Sequence, residues 1–340
     1  MRKIIGAALA AMLLLSGCGS EEAAAPEVKP VQQEVMLYSS MQEQQLETIK
    51  EGFEAAHPEY QLRYQFGGTG KIMTKLNTEV QFGDVRADVI LTSNPVHYVL
   101  LKENHMLYPY ISTEIEDIAA PFRNDEYYYT GALLFSGVIA YNTELVAPEE
   151  APRSWQELLD PKWKGRIIMA DPYSSGSVSY IMSALMQNPA YGEQYFRRLR
   201  ANGCMLDSGT MAAHRQLAEG NYAICIGLDY LTASLKDEGY PVELIYPEED
   251  SIPIYGSVAL VAGAPNEVGG KLLYDYILSR ECQERLIRCH LGGVRQDALQ
   301  DGLSATERME AGMEIDIRDL CEKEGRYLKA FDQIFFSEIT

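Results

Sequence analysis

Residues 35–40 read Val-Met-Leu-Tyr-Ser-Ser, residues 60–70 read Tyr-Gln-Leu-Arg-Tyr-Gln-Phe-Gly-Gly-Thr-Gly, and residues 87–95 read Ala-Asp-Val-Ile-Leu-Thr-Ser-Asn-Pro. Each is a short apolar or alternating run closed by small polar residues. The first predicts a buried strand ending at Ser39 and Ser40. The second sets Tyr60, Leu62, Tyr64 and Phe66 against Gln61, Arg63 and Gln65, the alternation of a half-buried strand, and Gly67-Gly68-Thr69-Gly70 breaks it. The third predicts a buried strand over 87–91. Between them, residues 41–56 carry Leu46, Ile49, Phe53 and Ala56 at helical spacing, and 72–80 read as a second helix. Pro95 suits the first turn of a third helix. Strand, helix, strand, helix in this order predicts a parallel α/β sheet.

The pattern restarts in the second half. Residues 131–141 form a long apolar strand, and Ser154 with Glu157 three residues on forms a capping-box pattern that opens a helix. A strand over 167–170, a turn over 171–177 and a helix over 178–186 follow. Helices are expected over 190–201, 209–219 and 229–238, strands over 222–227 and 242–246, a further apolar run over 257–262, and a mainly helical end over 266–340. Tyr127-Tyr128-Tyr129 reads as a strand with one buried ring, with Tyr129 or Phe135 as possible cleft-lining rings, and Pro247-Glu248-Glu249-Asp250 as a solvated turn. The chain therefore looks like two α/β lobes, with crossings near 131–136 and 252–258. Lobe 1 takes residues 34–133 and 256–340, lobe 2 takes 134–255, and a ligand cleft lies between them.

Composition agrees. At 340 residues, 46% hydrophobic and 23% charged, the chain is ordinary globular material too long for one core. The formal charge of −20 disfavours nucleic acid and anionic lipid as partners, although one cleft can differ in sign from the whole surface. A monomer is expected.

The N-terminus is distinctive. Arg2 and Lys3 precede the apolar residues 4–15, and Leu15-Ser16-Gly17-Cys18 follows. A basic start, a short apolar stretch and small residues read as a secretory signal, and the stretch is too short to span a bilayer. Leu-Ser-Gly-Cys resembles the lipobox of bacterial lipoproteins, which implies removal of 1–17 and lipidation of Cys18. Loss of Arg2 and Lys3 would take the charge from −20 to −22. Residues 18–33 have the composition of a flexible tether. The other cysteines, 204, 225, 282, 289 and 321, form no Cys-x-x-Cys pair, so neither a redox motif nor a zinc knuckle is indicated. Cys204 and Cys225 read as buried, Cys282 and Cys289 as too far apart on one helix to bridge, and no disulfide is expected.

Marks of catalysis are thin. Lys71 is followed by Ile72 and no glycine stands five positions before Gly70, so the Walker pattern fails. No His-Glu-x-x-His and no Gly-x-Ser-x-Gly occurs. No enzyme activity and no cofactor is expected. What is present is a set of strand ends with small hydroxyl or amide side chains before predicted helices: Ser39 and Ser40; Gly68, Thr69 and Gly70; Ser93 and Asn94; Ser174, Ser175, Gly176 and Ser177; and Asp229 with Tyr230. Each is an N-cap candidate. Together, in both lobes, they also make a donor-rich concavity suited to a phosphate, phosphonate or carboxylate. Both roles stay open for each residue.

Several segments resemble the ferric-iron, thiamine and phosphonate type of periplasmic binding protein. They are Leu37-Tyr38-Ser39-Ser40, Ala87-Asp88-Val89-Ile90, residues 137–143, the stretch 154–166 (Ser-Trp-Gln-Glu-Leu-Leu-Asp-Pro-Lys-Trp-Lys-Gly-Arg) and residues 171–177. The resemblance spans about 34–340 and implies the two-lobed type 2 fold, hinge closure on a ligand, and a lipid-anchored, extracytoplasmic subunit of an ABC importer partnered by a permease and an ATPase. In a two-membrane cell this is the periplasm, whereas Gly19 after Cys18 favours a single-membrane cell. Ferric-binding members carry two adjacent tyrosines where this chain has Asp229-Tyr230. They also have a histidine after the first strand, where Met41-Gln42-Glu43 stand here. The resemblance therefore favours a phosphonate or sugar phosphate, with ferric iron held by Tyr230 and Asp229 as the alternative. A sensor feeding a membrane kinase is a lesser one.

Overall fold

In the computed structural model, which describes residues 32–247, 250–297, 299–300 and 303–337, the first half follows the expected alternation. The signal, Cys18, most of the tether and Glu248-Glu249 lie outside the described residues. In chain order the elements begin β1 (Gln33–Ser39), α1 (Glu43–Ala56), β2 (Tyr60–Phe66), α2 (Thr69–Phe82), β3 (Val89–Thr92), α3 (Pro95–Glu103) and β4 (Leu107–Tyr108). Then come β5 (Thr130–Asn142), β6 (Ile167–Ala170), α4 (Gly176–Gln187), α5 (Gly192–Ala201), β7 (Met205–Asp207), α6 (Thr210–Ala218), β8 (Ile224–Leu228), α7 (Asp229–Asp237) and β9 (Val242–Ile245). The end is β10 (Ile252–Val261), α8 (Glu267–Leu278), α9 (Arg280–Ile287), β11 (Leu299–Gln300), β12 (Leu303–Ser304), α10 (Ala305–Glu310) and α11 (Ile317–Phe335).

One sheet runs through both halves in the order β2-β1-β3-β10-β5-β8-β6-β7, with β4 added on β10 and β9 on β5. β1 lies parallel to β2 and β3, with Leu37 opposite Tyr64 and Val89. β6 lies parallel to β7 and β8. Between these parallel sets run β5 and β10, antiparallel to each other from Thr130–Val258 to Gly137–Ile252. β5 continues past Gly137 to pair with β8 and β9. These two long strands occupy the regions where crossings were expected, and the ladder shifts register between Gly256 and Ser257. Val35, Leu37, Val89 and Leu91 bury one apolar layer against Leu46, Ile49 and Phe53 of α1.

Several local expectations are corrected. Ser154 opens a 3-10 turn (Gln156–Leu159) rather than an α-helix. Its hydroxyl accepts from the Glu157 N–H, but the Glu157 carboxylate accepts from Arg153 N, so the capping box is only half made. Tyr127-Tyr128-Tyr129 forms a turn before β5, with Tyr127 at φ 59°, and Tyr129 packs on Tyr98. Phe135 is buried under Tyr230 rather than lining the cleft. Cys289 lies past the end of α9, so it does not share that helix with Cys282. The cysteines among the described residues are free. α8 and α9 pack against β1, β10 and α1, whereas α11 lies across α3, α4 and α5 and is not confined to the first half.

The 154–166 stretch earns its place through Trp155. Its ring is fully buried, Nε1 donates to Asp250 O at 2.9 Å, and its carbonyl accepts from Tyr195 Oη at 3.0 Å. Trp155→Ala should cost about 3–5 kcal/mol in urea unfolding. Trp155→Phe should recover about half of that, because it restores ring volume but strands the Asp250 carbonyl.

Candidate functional site

The C-terminal ends of β1, β2, β3, β6, β7 and β8 all open on one cleft of about 170 Å³. Ser40 and Gln42 line it after β1; Phe66, Gly68, Thr69 and Lys71 after β2; and Ser93 after β3. From the other side come Ser174, Ser175, Gly176 and Ser177 after β6, Ser208 to Ala212 after β7, and Leu228 with Tyr230 after β8. Parallel strands followed by helices place helix N-termini at one sheet edge, and the cleft forms there.

The two walls touch through glycines. A Cβ on Gly68 would stand 2.5 Å from Ser174 O, one on Gly70 would stand 2.4 Å from Tyr173 O, and one on Gly176 would meet Thr69 Oγ1 at 2.6 Å. At Gly68 and Gly70 backbone meets backbone, and only glycine allows it.

The electrostatics of the cleft oppose those of the whole chain. Helices α1, α2, α6 and α7 start at Gln42, Gly68, Gly209 and Leu228, all of which line the cleft, and none of these residues caps its helix with a side chain. The positive ends of their dipoles therefore favour an anion, and first-turn N–H groups of α1, α2 and α6 are available to it, whereas at α7 the Tyr230 N–H is taken by Asp229 Oδ1. Lys71 is the one charged side chain among the lining residues, and no carboxylate is among them. Ser40 Oγ is buried without a hydrogen-bond partner. A buried hydroxyl is costly to leave unpaired, and this one lies on the cleft lining where a solute could meet it. Across the cleft, Ser175 Oγ lies 2.6 Å from Thr210 Oγ1 and 3.2 Å from Ser177 Oγ, while also capping the Val178 N–H of α4.

The residues offered by the sequence as caps or ligands separate by where the structure places them. Ser39 is fully buried and ties β1 to β3: its hydroxyl donates to Leu91 O and accepts from Met41 N. Asn94 caps α3 through the Val96 N–H and does not line the cleft. Gly70 faces a neighbouring cavity behind the glycine contact. Asp229 also stays out of the cleft: its carboxylate is buried and accepts from Tyr230 N at 2.8 Å and Tyr246 Oη at 3.3 Å. Tyr230 lines the cleft, but burial pushes its phenol pKa up, which keeps it protonated. Among the described residues no group of three or more His, Cys, Asp or Glu is placed to hold a metal ion.

Sequence reasoning missed Gln42, Phe66, Lys71 and the β7–α6 turn. The turn carried a usable signal. Leu206-Asp207-Ser208-Gly209-Thr210 repeats the pattern of apolar residues, small polar residues and helix, but the strand is three residues long and shows no alternation.

Burial raises the Asp229 pKa from 3.8 to about 6, against the pull of Ser136 N, Tyr230 N and Arg308. A folded pKa above the unfolded one means stability is fully present below about pH 4 and is lost as pH rises through about 6. Asp229→Asn should remove this slope, gaining on the wild type by roughly 2–3 kcal/mol between acid and neutral pH. Urea unfolding at three pH values reads the difference directly.

A profile described as bacterial extracellular solute-binding protein matches residues 84–307. The chain is 26% identical over 247 residues to a putative 2-aminoethylphosphonate-binding periplasmic protein of Salmonella typhi, covering 69% of this chain and 70% of that one. Its fold is similar to that of the periplasmic binding protein AfuA from Actinobacillus pleuropneumoniae with fructose-6-phosphate bound. The TM-score is 0.79 at 23% identity, covering 89% and 98% of the two chains. It is also similar to iron-bound HitA from Pseudomonas aeruginosa, with a TM-score of 0.76 at 18% identity and coverage of 89% and 99%. The chain thus belongs to the bacterial extracellular solute-binding protein family and has its two-lobed periplasmic-binding-protein fold.

Proposed function

We propose that this chain captures a small phosphonate or organic phosphate in the cleft and delivers it to the permease and ATPase of an ABC importer. The observation that carries the reading is the convergence of four helix starts without side-chain caps on a cleft lined by hydroxyls, one lysine and no carboxylate. Such a cleft neutralises an anion with fixed dipoles and hydrogen bonds and has no carboxylate in its lining. The relatives named for aminoethylphosphonate and fructose-6-phosphate point to the same solute class. The chain itself does no covalent chemistry in this reading. Closure on solute is the whole of its work, and the closed form docks on the permease.

Ferric iron fits less well. Hard Fe(III) needs several anionic oxygen ligands. Of the expected pair, Tyr230 reaches the cleft and Asp229 does not, which leaves one candidate ligand where several are needed. We assign ligand contact to Ser40, Gly68, Thr69, Ser93, Ser174, Ser175, Gly176, Ser177 and Tyr230, and add Lys71 and Thr210. We keep 34–133 and 134–255 as the bodies of the two lobes, with β5 and β10 as hinge strands; of the segment 256–340, which was expected in lobe 1, we place α11 with lobe 2, against α4 and α5. Lipidation at Cys18 would hold the protein at the outer face of the cell membrane, tethered by residues 18–33. The protein acts outside the cytoplasm.

A thermal-shift panel of 2-aminoethylphosphonate, fructose-6-phosphate, phosphate, thiamine and ferric citrate tests the solute class. A solute at 100 times its Kd should stabilise the fold by about 2.7 kcal/mol, a rise of a few degrees. The expected rise comes with a phosphonate or sugar phosphate and survives a chelator. A rise with ferric citrate alone, abolished by chelator, overturns the reading.

The glycine contacts give a second test. Gly68→Ala and Gly70→Ala should each weaken solute binding at least tenfold, because the new methyl holds the walls apart. Calorimetry with the solute found in the panel checks this, and unchanged affinity in both variants would show that closure does not need the glycine contact.

A further inference from the structure

Glu324 is a buried carboxylate that the cleft does not use. It lies in the middle of α11, is 5% exposed, and its Oε1 accepts from Asn94 Nδ2 at 2.8 Å and from Ser179 Oγ at 2.9 Å. Asn94 follows Ser93 and starts α3, on one wall of the cleft. Ser179 stands one turn into α4, whose first residues Gly176 and Ser177 line the other wall. A single oxygen thus joins the two walls directly behind the residues that form them. His97 of α3 adds a further approach, Nε2 to Glu324 Oε2 at 3.8 Å.

Which bond gives when the walls part follows from how α11 is fastened. Its start is stapled to the end of α4: Gln187 Nε2 donates to Asp319 Oδ2 at 2.8 Å, and Gln187 Oε1 accepts from Asp316 N at 3.0 Å. Further along, the Phe331 ring packs edge-on against Phe196 of α5 at 5.7 Å. Toward α3 the polar contacts are Asn94 to Glu324, the His97 approach and a long Cys321 Sγ contact to Val96 O at 3.9 Å. Helix α11 packs on α3, α4 and α5 alike, but these ties lead us to treat it as moving with α4 and α5. Separation of the walls breaks the Asn94–Glu324 bond and takes one of its two donors from a buried carboxylate oxygen.

We propose that Glu324 is a positioning residue for solute capture, latching the start of α3 to α4 so that the closed cleft is populated before solute arrives. An unmet buried acceptor costs more than an average hydrogen bond contributes, so the latch biases closure rather than merely accompanying it. A larger closed fraction raises apparent affinity for any solute by the same factor. The inference rests on the cleft being the capture site, not on which solute it takes.

Small-angle scattering of the solute-free chain tests the latch. Asn94→Asp keeps the oxygen that caps α3 but sets a second carboxylate against Glu324. It should lower the closed-to-open ratio by roughly tenfold or more and raise the radius of gyration. Glu324→Ala should do the same. Glu324→Gln retains the acceptor and should scatter like the wild type, and Asn94→Asp combined with Glu324→Gln exchanges donor and acceptor and should restore compactness. If Glu324→Ala does not fold, Asn94→Asp and the exchange pair carry the test. A folded Asn94→Asp with wild-type scattering, or an exchange pair that fails to recover, overturns the proposal. A solute panel with no response would sink the phosphonate reading while leaving these scattering outcomes intact.

Discussion

Backbone-to-backbone contact across the cleft, at Gly68 against Ser174 and Gly70 against Tyr173, sets the geometry on which everything else depends. Side chains at these points would hold the walls apart by at least a methyl group. Their absence lets the N-terminus of α2 approach that of α4, and the intrinsic cost of glycine in the chain is accepted for that approach. Once the walls are this near, helix starts from both sides face one small volume. Fixed backbone dipoles then create a positive pocket inside a protein of formal charge −20.

The sheet explains how two walls can be both separate and joined. Parallel strands on each side point their C-terminal ends at the cleft, while β5 and β10 run through both sides as an antiparallel pair. Two long hydrogen-bonded strands resist shear but twist and bend readily, most easily at the register shift beside Gly256. Opposite this pair, α11 spans the walls and inserts Glu324 between them. The cleft thus lies between the β5–β10 ladder on one side and the Glu324 contacts of α11 on the other.

Small polar residues at strand ends have two uses, and the structure separates them by direction. Asn94 and Ser39 spend their hydrogen bonds on the fold, at the start of α3 and between β1 and β3. Ser175 caps α4 and faces the cleft at once. Ser40 keeps a buried hydroxyl unspent. A helix start with no side-chain cap is as informative as one with a cap, because its free N–H groups must be met by water or by a ligand.

The order of elements, the parallel pairing of the first strands, the absence of catalytic motifs and most of the cleft's hydroxyl residues were legible in the chain, because periodicity and punctuation are local properties. Tyr60–Phe66 could be read to the residue, since alternation over seven positions leaves one assignment. Tertiary structure decided what local pattern cannot encode. It turned Asp229 into the core and away from the cleft, made the Tyr127 run a turn, and brought in Lys71 and the brief β7–α6 turn. It also placed Glu324 beside Asn94, 230 positions away. These outcomes depend on which surfaces meet after folding, and contacts between distant segments leave no periodic trace in either segment alone.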